Sequence, residues 1–524
     1  MNRICKLFIL TSSFSIATTC ISTPIFALEN QQQPSLTDTS QLTSVSQLSD
    51  VKSTDWAFQA LQSLIERYGC IAGYPNGNYR GERAMTRYEF AASLNACLTK
   101  VQELIATSNS SFTTKKDLDL IQKLQVEFSS ELAKLRSRMD TLESRTSQLE
   151  ANQFSPTTKL EAEAILTAAS IFGENTADSD DNRENNSKLD NNLIFAQRVR
   201  LNFVTSFTGK DELNLRLESG NIPEFDESIT GTIMTRLGFD EDTGNDIGLD
   251  EVYYSFPIGE KLKTTIAIAE MELNDFAEPI NPLSSSGRGA VSRFGRYNPI
   301  LRSMDGTGLG INYQLNQKTQ LAIAYMANDA AVPTENNGLF NGNFAALGHL
   351  YFQPADNLGI TFTYVHGYYA GIGETGVNLT GSTGSLTARS PFGNVATTAN
   401  SFGLETSWRI NPKFVISGWI GYTKAESGVT NDDAEILNYA VSLAFPDLGN
   451  KGNLAGLVLG MPPKVTSSSL IADRDTSLHI EGFYRFQVTD NISITPGLFV
   501  ITNPEHNANN DSVFIGTIRT TLKF

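Results

Sequence analysis

From Leu160 to the final Phe524, apolar side chains recur at every second residue, in short segments joined alternately by tight turns and long loops. Successive side chains of a β-strand point to opposite faces, so this period gives each strand one apolar and one polar face. In AQRVRLNFVTSF, Val199, Leu201, Phe203 and Phe207 oppose Arg198, Arg200, Asn202 and Ser206. In DELNLRLE, Leu213, Leu215 and Leu217 oppose Asn214, Arg216 and Glu218, and in TSLHIEGFYRFQ, Leu478, Ile480, Tyr484 and Phe486 oppose His479, Glu481 and Arg485. The closing run IGTIRTTLKF divides in the same way. Gly516, Ile518, Thr520, Leu522 and Phe524 take one face, and Ile515, Thr517, Arg519, Thr521 and Lys523 the other. A half-buried sheet in a soluble sandwich shows the same alternation. An open sheet ending on such a strand exposes an unpaired edge, whereas a barrel pairs its last strand with its first.

The connections separate the two readings. The pattern predicts strands near 160–171, 191–207, 211–220, 248–257, 261–270, 306–315, 318–327 and 344–353. It continues with 357–367, 400–409, 413–423, 435–446, 453–461, 475–487, 490–502 and 511–524, sixteen in all. Every second connection is tight: TGKD, PIGEK, LNQK, QPADN, INPK, FPDLGNKG and VTDN. Those between are mostly longer, such as 172–190, 221–247, 271–305 and 368–399. An even strand number with short turns on one rim and long loops on the other is the pattern of a membrane barrel. A soluble sandwich has no reason for that asymmetry. Residues 160–524 are therefore read as a 16-stranded antiparallel transmembrane β-barrel, and the chain as mainly β.

Composition agrees. A mean hydropathy of −0.19 is too polar for a helical membrane protein. The formal charge of −17 argues against nucleic acid, which needs a basic face. Residues 1–27 carry Arg3 and Lys6, an apolar stretch around Leu7 to Ile16, and Ala27 at a cleavage position, which reads as a secretory signal. A lipoprotein reading on Cys20 is the weaker one, since Thr19 precedes it and more apolar sequence follows. No later run of about 18 apolar residues occurs, so no membrane helix is expected. Residues 28–49 read as a polar linker. Loss of the signal leaves Cys70 and Cys97 in an oxidising compartment, which favours a disulfide over two buried thiols.

Residues 50–110 form a separate unit. Trp56, Ala60, Leu61, Leu64 and Ile65 recur at helical spacing, GYPNGNYRG is turn chemistry, and Thr86 precedes a second helix bearing Phe90, Leu94 and Leu98. Asp55 and Trp56, the loop Gly73 to Gly77, and Thr86, Arg87 and Glu89 resemble the signature of the S-layer homology (SLH) domain. The resemblance implies binding of a peptidoglycan-linked anionic polysaccharide through Trp56, Gly73, Thr86, Arg87 and Glu89, with Arg87 the main anion contact. Free N–H groups at a helix N-terminus and a guanidinium suit one anion. The plainer alternative is that Arg87 and Glu89 cap and pair on the surface. Family members usually carry three SLH copies, and this chain has one.

Residues 115–153 address that deficit. Leu118, Gln125, Leu132, Met139 and Thr146 fill the a positions of a heptad, and Ile121, Phe128, Leu135, Leu142 and Leu149 the d positions. Glu131, Arg138 and Arg145 at g face Arg136, Glu143 and Glu150 at e of the following heptad. All three pairs are opposite in sign, as parallel in-register helices require. The expectation is a parallel coiled-coil stalk roughly 48 Å long in a homotrimer that supplies three SLH domains. A lone amphipathic helix packed on its own chain is the alternative.

LDEVYYSFPIGEKL and NPLSSSGRGAVSRFGRYNPI resemble cyanobacterial outer-membrane porins that join one SLH domain to a barrel of the carbohydrate-selective (OprB) family. The terminal Phe524 resembles the assembly signal of outer-membrane proteins. The resemblance implies passive diffusion of small hydrophilic solutes and inorganic ions, with stalk and SLH domain in the periplasm and the barrel in outer-membrane lipid. Some members carry the label iron uptake porin. A structural tether between outer membrane and wall, and a soluble exported binding protein, are the competing readings.

No enzyme is expected. His349, His366, His479 and His506 are scattered, and no phosphate loop, cofactor motif or metal-ligand spacing occurs. Acidic runs near 179 and 240 read as solvated loop tips more readily than as Ca²⁺ sites. Arg198, Arg200, Arg216, Arg485, Arg519 and Lys523 lie on faces assigned to the lumen, which predicts a basic stripe. The loop 271–305 is long enough to fold inward as a constriction carrying Glu272, Asp275 and Glu278, then Arg288, Arg293, Arg296 and Arg302. Charges across such an eyelet orient solutes. The alternative is that these arginines pair structurally with lumen acids such as Glu218 and Glu481.

Overall fold

The computed structural model describes residues 43–55, 57–71, 78–79, 81, 87–107, 134, 136–141, 143, 157–178, 187–371 and 376–524. Residues 1–42, which hold the expected signal segment and most of the expected linker, lie outside the described residues. So does most of the heptad stretch, of which 134, 136–141 and 143 are helical. The chain divides into two compact units, Met1–Ser147 and Gln148–Phe524.

In the first unit, α1 (Phe58–Gln62) continues into a π-turn at Ser63–Arg67, and α2 spans Arg87–Thr107. Leu61 and Ile65 are four apart, so they share one face and pack on Val45 and Leu48 from the stretch read as linker. Ser44 caps the preceding 3₁₀ turn, and its hydroxyl also donates to Glu66 at 2.7 Å. A disulfide joins Cys70 to Cys97 of α2, with Cα atoms 4.3 Å apart.

The second unit is the barrel. Its strands are β1 (Thr158–Phe172), β2 (Ile194–Thr205), β3 (Glu212–Ile222), β5 (Gly248–Ile258), β6 (Leu262–Glu272), β7 (Asp305–Asn316), β8 (Thr319–Ala327) and β9 (Phe344–Ala355). The second half has β10 (Leu358–Tyr369), β11 (Thr397–Asn411), β12 (Phe414–Ser427), β13 (Asp433–Pro446), β14 (Leu454–Ser468), β15 (Leu478–Gln487), β16 (Ile492–Thr502) and β17 (Val513–Lys523). A two-residue strand, β4 (Glu241–Asp242), attaches to the end of β3 inside a loop and takes no part in closure. Sixteen antiparallel strands thus follow one another in chain order. β17 closes the ring on β1 in register Glu163↔Lys523, Thr167↔Arg519 and Ile171↔Ile515. The fold class read from the alternation is the fold observed.

β14 extends beyond the segment 453–461, through Pro462 and Pro463 to Ser468. Proline lacks the ladder N–H and normally ends a strand. Here pairing with β15 stops at Gly460↔His479, and pairing with β13 shifts register around Leu437 and Tyr439. Edge and bulge positions tolerate the missing donor.

Polarity is inverted relative to a soluble sheet. On β17 the outward Ile518 is 52% exposed, while the inward Arg519 is 0% exposed. Apolar groups face the surroundings and ionic groups are covered. A lysine near the middle of an outward strand face costs about 2–4 kcal/mol in a bilayer. Ile518→Lys should lower unfolding stability in lipid vesicles by that order, as read from denaturant midpoints, whereas Ile518→Leu should leave it unchanged.

Candidate functional site: the lumen and its inward loop

Residues between β6 and β7 leave the wall through a short helix, Leu273–Phe276, and cross the interior to the strands that close the ring. The far wall holds the loop tip with two opposite charges. Arg519 of β17 donates to the carbonyls of Ser286 at 2.6 Å, Gly289 at 2.7 Å and Ala290 at 3.2 Å. Its guanidinium also lies 5.1 Å from the Phe239 ring centre. At the next residue the polarity reverses. Glu481 of β15 accepts from Val291 N at 2.5 Å and from the Ser292 hydroxyl. Thr521 donates to the Gly287 carbonyl at 2.7 Å. A cation grips three carbonyls of the tip and an anion grips the N–H that follows them, so these backbone groups are satisfied inside the barrel.

This close approach explains the glycines in SSSGRGAVSRFG. A Cβ at Gly295 would stand 2.5 Å from Glu481 Oε2, and one at Gly287 would collide with the Glu163 carboxylate. Further along, Asn281 accepts from the hydroxyls of Ser417 and Ser442 at 2.8 and 2.9 Å, and Asn298 donates to the Ile420 carbonyl at 3.2 Å. Phe294 meets Trp419 edge to face at 5.7 Å. Ser292, His479 and Glu481 lie together, but both partners contact the same imidazole nitrogen, Nε2, at 3.1 and 3.2 Å. They form a closed triangle under the loop rather than a proton relay.

The cations assigned to the lumen are interleaved with acids. Arg198, 2% exposed, bridges Glu163 at 3.1 Å and Glu218 at 3.3 Å. Arg200 binds Glu218 at 2.9 Å, Arg216 binds Asp250 and Glu251, and Lys523 binds Glu163 at 3.1 Å. Arg485 donates to the carbonyls of Arg288 and Gly452 at 2.9 and 3.0 Å. The wall is therefore a lattice of alternating charge instead of a bare basic stripe. Glu218 is one of its pairing acids, whereas Glu481 serves the loop backbone.

The loop residues fall into two groups. Glu272 accepts from the Tyr297 hydroxyl at 3.1 Å and lies 4.0 Å from Arg293, and Asp275 caps the turn through Glu272 N at 2.7 Å. Glu278 is exposed. Arg288 donates to the Asp490 carbonyl at 3.3 Å and Arg293 to that of Gly381 at 3.0 Å. Arg296 donates to the Ser284 and Gly238 carbonyls at 2.8 and 3.1 Å. Arg302 stacks on Tyr297 at 3.7 Å. The residues missed from sequence are Asn281, Ser292, Asp250, Glu251 and Glu163. Their inward parity was visible, but their partners were not.

In the SLH unit, Trp56, Gly73 and Thr86 lie outside the described residues, and Arg87 and Glu89 begin α2.

At the long-loop end, Glu505 joins three loops. It accepts from the Thr232 hydroxyl at 2.5 Å and from Leu386 N at 2.7 Å. Its backbone and those of Asn503 and His506 are left-handed, with φ of 58°, 48° and 52°. Burial pushes its carboxyl up to about 8.

A closed sixteen-strand barrel, apolar outside and ionic inside, with a loop folded across its lumen, is an outer-membrane porin. A family model described as Carbohydrate-selective porin, OprB family, matches residues 115–524, and one for the S-layer homology domain matches residues 47–91. The chain belongs to the carbohydrate-selective porin, OprB family. An uncharacterized protein of Nostoc sp. (strain PCC 7120) is 44% identical over 507 residues, covering 93% of this chain and 86% of that protein. One of Synechocystis sp. (strain PCC 6803) is 40% identical over 514 residues, covering 92% and 91%. The outer membrane protein SlpA of Thermus thermophilus is 33% identical over 103 residues, 19% of this chain and 11% of that protein. Among solved structures, Pseudomonas putida OprB at high pH aligns over 74% of this chain and 97% of its own, with 12% identity and a TM-score of 0.49. The protein resides in the outer membrane, with its SLH domain on the periplasmic side.

Two outcomes follow from this geometry. Arg519→Leu removes three charge-assisted bonds and should weaken loop docking by about 2–4 kcal/mol. Single-channel records should then show larger and more variable unit conductance, with Arg519→Lys intermediate. Between the ordinary carboxylate value of 4.5 and about 8, the seated Glu505 keeps a proton that a released loop gives up. Stability of the seat is therefore full below that window and falls as pH rises through it. Protection factors for amide exchange in 503–512, taken relative to the intrinsic rate at each pH, should fall from pH 6 to 9 in the wild type and stay nearly flat in Glu505→Gln.

Proposed function

We propose that the barrel passes small hydrophilic solutes and inorganic ions by passive diffusion past the inward loop, while the SLH domain holds a peptidoglycan-linked anionic polysaccharide. The observation that carries the first half is the loop 273–304, fixed inside the lumen beside a wall of alternating charge. Polar solutes there exchange water for ion pairs that already have partners, which favours transit over tight binding. The second half rests on the residues matched to the SLH family and on Arg87 at the start of α2. The parallel heptad supports a homotrimer, in which three SLH domains act together and gain in effective concentration.

A second reading has its own support. Two buried apolar clusters fill parts of the interior: one contains Leu283, Val291 and Phe294, the other Tyr297, Ile300 and Leu301. A lumen packed to that extent favours a structural anchor with little channel activity. Conductance of the purified protein in planar bilayers separates the two. Discrete ion steps support the porin reading, and silent insertion of folded barrels leaves the anchor.

Arg87→Ala should reduce co-sedimentation of the full-length protein with isolated cell-wall sacculi by at least about tenfold, while bilayer conductance is retained. Unchanged sedimentation would count against the anion-binding role.

A further inference from the structure

The membrane-facing surface of β8–β12 carries a groove of about 460 Å³. Leu321, Leu350, Phe362, Phe402, Leu404 and Ile420 line it. It exists because one outward side chain is missing: a Cβ at Gly348 would meet nothing within 4 Å. Cross-strand register sets what lies beside it. Tyr364 pairs with Gly348 and Phe402, and the next outward row toward the long loops is Ala346, His366, Asn400, Lys424 and Glu435. The apolar depression thus meets a polar row at the level where hydrocarbon gives way to headgroups.

That row has a distinct chemistry. The Tyr364 hydroxyl donates to Asn400 Oδ1 at 2.8 Å, and His366 Nδ1 lies 3.0 Å from the same oxygen. His366 Nε2 and the Asn400 amide nitrogen have no protein partner among the described residues. Phe344 stacks between Tyr325 and Tyr368, with ring centres 5.6 and 5.8 Å away. The row's one cation, Lys424, is bound by Glu426 at 3.0 Å, and Glu435 and Asp433 stand near it. Aromatic faces, an amide, an imidazole and surplus carboxylates suit sugar hydroxyls and ring C–H faces. Anionic headgroups are drawn to basic clusters, and this rim is acidic.

We propose that groove and rim bind a membrane lipid with an uncharged sugar headgroup, one acyl chain lying over Gly348 and the sugar against Asn400, His366 and the aromatic rings. The site depends on the barrel's place in the membrane and is independent of whether the lumen conducts.

The test is native mass spectrometry of the full-length protein after exchange into mixed vesicles of monoglycosyl diacylglycerol and phosphatidylglycerol. The wild type should retain the glycosyl lipid with about tenfold preference. Gly348→Leu, which fills open space, should lose it while bilayer conductance matches the wild type. Asn400→Ala should keep a bound lipid but lose the headgroup preference, and serves if the leucine variant does not fold. Equal retention of both lipids by the wild type, or undiminished retention by a folded Gly348→Leu protein, would overturn the proposal.

Discussion

Closure of β17 on β1 is the constraint from which the other features follow. In hydrocarbon an unpaired backbone N–H or carbonyl has no water to turn to, so a sheet survives there only as a ring without edges. The register Glu163↔Lys523 to Phe172↔Phe514 supplies that seam. Once the ring is closed, side-chain parity does the rest. Ile518 and Leu498 must face lipid, and Arg519 and Thr517 must face inward. A one-residue slip would place Arg519 in the bilayer and Ile518 in the lumen, so register and membrane placement enforce each other.

Charges brought inward then need partners, and the barrel meets that need in two ways. On β1 to β5 acids and bases alternate across neighbouring strands, as in Glu163–Arg198–Glu218–Arg200. On β15 and β17 the partner is the backbone of the inward loop, clasped by Arg519 through carbonyls and by Glu481 through an N–H. Loop and wall are therefore mutually dependent. Without the loop Arg519 and Glu481 have no partners of this kind, and without them the loop's polar backbone is unsatisfied.

The architecture was legible because lipid and water impose a two-residue period that no other constraint on these strands disguises. All sixteen strands appear in the alternation, as does the split between tight turns and long loops. The inward path of the 271–305 loop was suggested by its length alone. The pairing of lumen charges was hidden, because it depends on register between strands. Arg200 stands opposite Glu218, and Arg216 opposite Glu251, only once β2, β3 and β5 are aligned. Arg519 was harder still, since its partners are backbone carbonyls more than 200 residues earlier, whose positions no side-chain pattern encodes. The passage of β14 through Pro462 and Pro463 was hidden for a similar reason: the missing partner on the β15 side and the register shift against β13 together make it tolerable.

Single-cysteine spin labels placed in turn from Phe514 to Thr521 of the vesicle-embedded protein test the inverted barrel most directly. Labels at 514, 516, 518 and 520 should collide with oxygen dissolved in the bilayer, and those at 515, 517, 519 and 521 should be shielded from it, with a strict period of two. Uniform accessibility along the strand, or the reverse phase, would contradict the closed barrel and the reading of the lumen built on it.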